Sequence, residues 1–159
     1  MIALYPGSFD PITLGHVDII KRTLRFSDKL VIGVLNNIGK KDGFAPELRV
    51  RLIREALEDV SKGERIEIRT FNGLLVDFFG ECGADVVVRG MRGVVEYEAD
   101  TLQAHANRIM RQDCETIFMP TNPLLSHISS SRVREITSFG GDVSGMVPEC
   151  VLRELSAML

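Results

Sequence analysis

Tyr5-Pro6-Gly7-Ser8-Phe9-Asp10-Pro11-Ile12-Thr13-Leu14-Gly15-His16 is the stretch whose reading decides the fold. It follows an apolar run over residues 1–4 that reads as a buried strand. It precedes residues 17–26, where Val17, Ile20, Thr23 and Leu24 recur at helical spacing with Asp18, Lys21, Arg22 and Arg25 largely on the other side. Proline lacks the amide donor and glycine favours turn geometry, so two of each in this stretch predict a loop that continues neither element. A strand, loop and helix in this order aim the helix's unpaired amides beyond the sheet edge, where phosphate is a natural guest. Ser8, Thr13 and His16 are the polar side chains within reach.

Working outward, Lys29–Leu35 is a nearly continuous β-branched and aliphatic run, the mark of a strand buried on both faces beside the first. Residues 36–45 form a polar loop carrying Lys40 and Lys41, and Pro46 opens a helix to about residue 60. Ile66–Phe71 alternates as a third strand, Asn72-Gly73 turns the chain, and a short helix covers 74–82. Residues 84–88 form a buried strand that ends in Arg89-Gly90-Met91-Arg92-Gly93. The helix over 94–111 is acidic first (Glu96, Glu98, Asp100) and basic last (Arg108, Arg111), which suits its dipole. A fifth strand over 116–119 stops at Pro120 and the Asn122-Pro123 turn. Ser129-Ser130-Ser131 then precede a helix closed by Gly140-Gly141, and Pro148 starts a last helix to about residue 158.

Five strands alternating with helices predict an α/β fold: a single doubly wound, Rossmann-like domain over 1–159, with a five-stranded parallel sheet and helices on both faces. Ligands of such folds bind beyond the carboxyl ends of the strands, where strand order reverses. Four polar clusters follow strands: Ser8 to His16, Lys40 with Lys41, Arg89 with Arg92, and Ser129 to Ser131. Each has a plain alternative taken singly. The lysines read also as a solvated pair, the arginines as structural ion pairs, and the serines as a helix cap. His105 and His127 read as structural or packing residues.

Bulk properties narrow the classes. The chain has 159 residues, 45% hydrophobic and 26% charged, with net charge −3, so it carries no broad cationic field for nucleic acid. Cys82, Cys114 and Cys150 are widely spaced, which suggests neither a disulfide framework nor a zinc site and fits a reducing, cytoplasmic setting. No export signal and no membrane span is visible, so no membrane partner is expected.

Thr13-Leu14-Gly15-His16 within its Pro-Gly-Ser-Phe-Asp-Pro context resembles the signature of nucleotidyltransferases with a Thr/His-x-Gly-His motif. The Lys40 loop, Arg89-Gly90-Met91-Arg92 with the acidic residues 96–100, Ala104-His105-Ala106-Asn107-Arg108 and Ile128-Ser129-Ser130-Ser131-Arg132 extend that similarity over the chain, to the phosphopantetheine adenylyltransferase family. The resemblance implies transfer of the adenylyl group of ATP to 4'-phosphopantetheine, giving dephospho-coenzyme A and pyrophosphate, with Mg2+ held mainly by the ATP phosphates and no metal ligands of the protein's own. It implies His16 as transition-state stabiliser, with Lys40 and Arg92 also catalytic. It places Ser8, Phe9, His16, Gly90, Met91, Arg92, Asp100, Leu125, Ser126, His127, Ile128, Ser129, Ser130 and Ser131 at ATP. Ser8, Lys40, Leu75 and Arg89 would meet phosphopantetheine. A homohexamer and feedback inhibition by coenzyme A are implied as well. Ser8, Asp100 and Leu125 depart from the family's common threonine, glutamate and aromatic. A related transferase with another acceptor, or a nucleotide sensor without catalysis, are the rival readings.

Overall fold

A computed structural model describes residues 1–36, 43–60 and 65–158. Its five strands are β1 (Ile2–Gly7), β2 (Lys29–Leu35), β3 (Ile66–Phe71), β4 (Val86–Met91) and β5 (Thr116–Pro120). They form one parallel sheet in the order β3-β2-β1-β4-β5. The helices are α1 (Leu14–Thr23), α2 (Pro46–Ala56), α3 (Leu75–Glu81), α4 (Val94–Met110), α5 (Ser130–Ser138) and α6 (Glu149–Ala157), with a 3-10 turn at Pro123–Leu125. The fold class expected from the alternating pattern is the one observed. The chain builds outward from β1 through β2 to β3, then crosses back to place β4 on the other side of β1. The reversal of strand order therefore falls between β1 and β4.

Strand alternation separates two apolar layers. Ala3, Tyr5, Leu30, Ile32, Val34, Val86 and Val88 face the layer filled by Ile20 of α1, Leu52 and Ile53 of α2, Val133 of α5 and Val151 of α6. Leu4, Val31 and Val87 face the other, where Val76, Phe78 and Phe79 of α3 pack with Phe71. Phe71 and Phe78 stack at 4.4 Å, and this stack needs Gly33: a Cβ there would lie 2.8 Å from the Phe78 ring. Helix α4 buries little, and leaves Val94, Val95, Leu102 and Ile109 more than two-thirds exposed.

Several boundaries differ from those predicted. Strand β1 continues through Tyr5, Pro6 and Gly7, which the sequence places in the loop. The carbonyl of Ile2 faces β4, accepting from the Asp85 amide, so Pro6, in phase with it, also turns its missing donor toward β4. The β1–β4 ladder is registered only at Ala3 and Leu4, so no bond is lost. Likewise β4 runs on to Met91, because Arg89, Gly90 and Met91 pair with Phe118, Met119 and Pro120 of β5. Helix α1 starts at Leu14 rather than residue 17, for a reason that lies in its cap. Helix α2 ends at Ala56, and Pro148 caps α6 rather than opening it.

Candidate active site

Thr13 is the N-cap of α1: its hydroxyl accepts from the His16 amide at 3.4 Å, and its own amide donates to His16 Nδ1 at 3.0 Å. This is a capping box in which histidine stands where glutamate is usual. An Nδ1 that accepts a backbone N–H carries no proton, so the neutral ring holds its proton on Nε2, as a donor. Burial, and then the nearby Arg92 cation, depress the His16 pKa to about 4, so the ring is neutral at pH 7. The ring packs against Phe9 at 5.0 Å, and Phe9 against Tyr5 at 5.4 Å. Gly7 permits this, since a Cβ there would sit 3.1 Å from the Phe9 ring.

Around His16 the backbone offers unspent donors. The first amide of α1, from Leu14, is taken by the Met146 carbonyl and the third by Thr13 Oγ1. The second, from Gly15, has no acceptor among the described residues. Helix α5 repeats the arrangement: Ser129 caps through the Arg132 amide at 3.1 Å, and the amides of Ser130 and Ser131 have no acceptor among the described residues. One serine is thus the cap. A second, Ser130, donates from its hydroxyl to the Pro11 carbonyl at 2.8 Å, fastening α5 to the loop after β1.

Both arginines at the end of β4 stand over the same space. Arg89 pairs with Asp100 at 2.5 Å, and Arg92 with Glu96 through Nε at 3.0 Å and also through NH2. Glu96 and Asp100 lie one turn apart on α4, so the ion-pair alternative describes both arginines in this structure. Arg92 also donates to the Ile128 carbonyl at 2.8 Å, tying β4 to the serine loop.

These groups enclose a cavity of about 360 Å³ at the β1/β4 reversal. Ser8, Phe9, His16, Arg89, Gly90, Arg92, Asp100, Ile128 and Ser129 to Ser131 all line it, bringing three of the four polar clusters together. Lys40 and Lys41 lie outside the described residues. Met91 and Ser126 line a neighbouring, more apolar recess with Tyr97 and Pro120. Leu125 packs on the core, His127 is exposed, and Leu75 belongs to the layer under α3, so these three do not line the cavity. Glu96, Gly15, Thr121 and Ile19 line it without having been singled out as site residues. Gly15 and the role of Thr13 were signalled by the Thr-x-x-His spacing, whereas Thr121 and Ile19 carry no chemical signal in sequence.

A capped helix start, two arginines and open amides at a strand-order reversal suit the binding of phosphates, and the cytidylyltransferase-like family model, which matches residues 4–136, makes the chain a nucleotidyltransferase. The chain is 47% identical to the phosphopantetheine adenylyltransferase of Geotalea daltonii, over 98% of this chain and 95% of that one. It is 42% identical to that of Clostridium perfringens strain SM101 (97% and 92%) and 41% identical to that of Clostridium beijerinckii (99% and 98%). The chain belongs to the phosphopantetheine adenylyltransferase family. A crystal structure assigned as a nicotinate-nucleotide adenylyltransferase from Vibrio parahaemolyticus superposes with a TM-score of 0.65 at 17% identity, covering 97% of this chain and 93% of that one. At that identity the likeness speaks for the fold alone.

Proposed function

We propose that the protein transfers the adenylyl group of ATP to 4'-phosphopantetheine, forming dephospho-coenzyme A and pyrophosphate. The observation that carries this is the meeting of a neutral, Nε2-protonated His16 with Arg89, Arg92 and the open amides of Gly15, Ser130 and Ser131 around one cavity, in a chain of this family.

The acceptor is a phosphate monoester whose second ionisation lies near pKa ~6, so at neutral pH it is nucleophilic without a general base. The barrier lies in bringing anions together and in stabilising charge on the α-phosphate and the departing pyrophosphate. Neutral His16 donates a hydrogen bond there and needs no proton transfer. The α5 amides and Ser131 receive the phosphates of the nucleotide. Arg89 and Arg92 exchange their carboxylate partners for phosphate oxygens. In the family's pattern Lys40, with Ser8 and Arg89, holds the acceptor, and Ser8, Phe9, His16, Gly90, Arg92, Asp100 and residues 128–131 hold ATP; the same pattern adds Leu75 to the acceptor's contacts and Met91 and residues 125–127 to those of ATP, from outside the cavity lining.

Among the described residues no group of three or more His, Cys, Asp or Glu side chains gathers. The two carboxylates at the cavity are engaged by arginines. That donor set suits Mg2+ arriving on the triphosphate, with phosphate and water oxygens as its ligands. When bound, the ion would neutralise charge on the phosphates.

Residues 1–159 act as one domain in this reading, in the cytoplasm, and the exposed apolar residues of α4 together with Phe139 and Leu124 support an assembly such as the family's hexamer. No helix among the described residues is long and apolar enough to cross a membrane. Coenzyme A, which contains the acceptor moiety, is the proposed feedback inhibitor. The test is an acceptor panel: phosphopantetheine, nicotinate mononucleotide and glycerol phosphate, each with ATP or CTP and Mg2+, read as pyrophosphate release. Turnover confined to ATP with phosphopantetheine is expected. Preference for another pair, or binding of ATP with no release, would overturn the proposal.

A further inference from the structure

We infer that Arg49 is a positioning residue for this site, one that sets the direction of the Ser8–Phe9 peptide; the inference rests on the function proposed above. Arg49 sits in the first turns of α2 and is 7% exposed. Its NH1 donates to the carbonyl oxygens of Ser8 at 2.8 Å and Leu35 at 3.0 Å, the first residue past β1 and the last of β2. Among the described residues no carboxylate pairs with it and its buried Nε has no partner. A guanidinium keeps its proton in proteins, so a full positive charge lies under the loop without a counterion among the described residues, which is costly. A neutral donor would tie two carbonyls as well. The charge therefore calls for an explanation in anion chemistry nearby.

The peptide supplies it. In a trans peptide the C=O and N–H point in opposite directions, and the Ser8–Phe9 bond is trans. Arg49 takes the Ser8 carbonyl from outside the cavity lining, so the Phe9 N–H turns to the side on which Ser8 and Phe9 line the cavity. That N–H has no acceptor among the described residues. Phe9 has φ 46°, a left-handed conformation unfavourable for a bulky side chain, so an outside group must hold the peptide this way. Arg49 is that hold, and its charge on the carbonyl polarises the peptide so that the Phe9 N–H donates better to an anion. It acts on substrate only through the backbone.

Two measurements test this. In the wild-type protein, the Phe9 amide resonance is followed while pyrophosphate or Mg-ATP is added, with sulfate at matched ionic strength as control. A specific downfield shift is expected, and an unmoved resonance would overturn the inference. Separately, Arg49→Met and Arg49→Lys are compared in steady-state turnover. Methionine should lower kcat about a hundredfold, as for a misplaced donor, and raise the ATP KM because the same amide meets bound nucleotide, with the acceptor KM changed by less than about threefold and lysine partly restoring the rate. A folded Arg49→Met protein with wild-type kcat would refute the role. Should methionine prevent folding, the amide titration and the lysine variant still decide. A wild-type protein whose Phe9 amide shifts but which never turns over would sink the proposed function and leave the placement of the peptide standing.

Discussion

The Thr13 amide and His16 Nδ1 lie 3.0 Å apart, and this contact is one arm of the capping box that starts helix α1 and also fixes which nitrogen of the catalytic candidate bears the proton. Structure and chemistry thus share a bond. A histidine used as an acid would need the opposite arrangement, with a carboxylate raising its pKa. Here burial and Arg92 lower it.

His16→Ala removes a donor aimed at developing charge. Losing one such donor costs roughly 3 kcal/mol, so kcat should fall by a hundredfold or more with the fold intact. Pyrophosphate release by the purified variant checks this, and a rate within about twofold of wild type would contradict the assignment.

Stability should carry the mark of the same ring. Its folded pKa of about 4 lies below the usual histidine value of 6.5, so between those limits the unfolded chain binds more protons. The ring's contribution is therefore complete above pH 6.5 and lost as pH falls toward 4. Denaturant melts at pH 7 and pH 4.5 should show wild type losing more stability than His16→Asn. Parallel losses in the two proteins would count against a depressed pKa.

Thr13→Val keeps the shape of the side chain and removes the cap. A loss of about 1 kcal/mol in stability is expected, as for other N-caps. Because the Thr13 amide that holds Nδ1 survives in the backbone, kcat should drop much less than in His16→Ala. An equal drop would show that the hydroxyl, and not the amide, orients the ring.

Asp100→Asn and Arg89→Met separate the ion pair from the substrate contact. Both partners are partly exposed, so Asp100→Asn should move stability by no more than about 1 kcal/mol. Arg89→Met removes a charge-assisted bond to an anion and should raise the acceptor KM about tenfold or more. An unchanged acceptor KM would leave Arg89 as a structural pair only.

Gly33→Ala tests the packing under the site. The added Cβ would approach the Phe78 ring to 2.8 Å, so about 1–3 kcal/mol of stability should be lost, visible as a lower Tm. An unshifted Tm would mean that the Phe71–Phe78 stack yields freely.

The sheet was legible because β2, inside it, is a continuous apolar run and β3, at its edge, alternates: Lys29–Leu35 and Ile66–Phe71 read from sequence with the limits they have in the structure. The ends of β1 and β4 were not, because Pro6 and Gly90 are local breakers and only pairing with β2 and β5 shows that each fits its strand. Helix α1 was read three residues late because its first turn, Leu14-Gly15-His16, carries a glycine and a histidine where propensity expects neither. The arginines were legible as cations at a strand end, but their partners Glu96 and Asp100 needed the crossing of α4. Arg49 had no signal at all, since a lone arginine on an amphipathic helix looks solvated until its burial is seen.

The most direct measurement is a single-turnover reaction of the purified protein with Mg-ATP and 4'-phosphopantetheine, followed by 31P NMR. Pyrophosphate and the P–O–P linkage of dephospho-coenzyme A should appear together and in equal amounts. A folded protein that binds both substrates and leaves the α-phosphate signal of ATP unchanged would contradict the account.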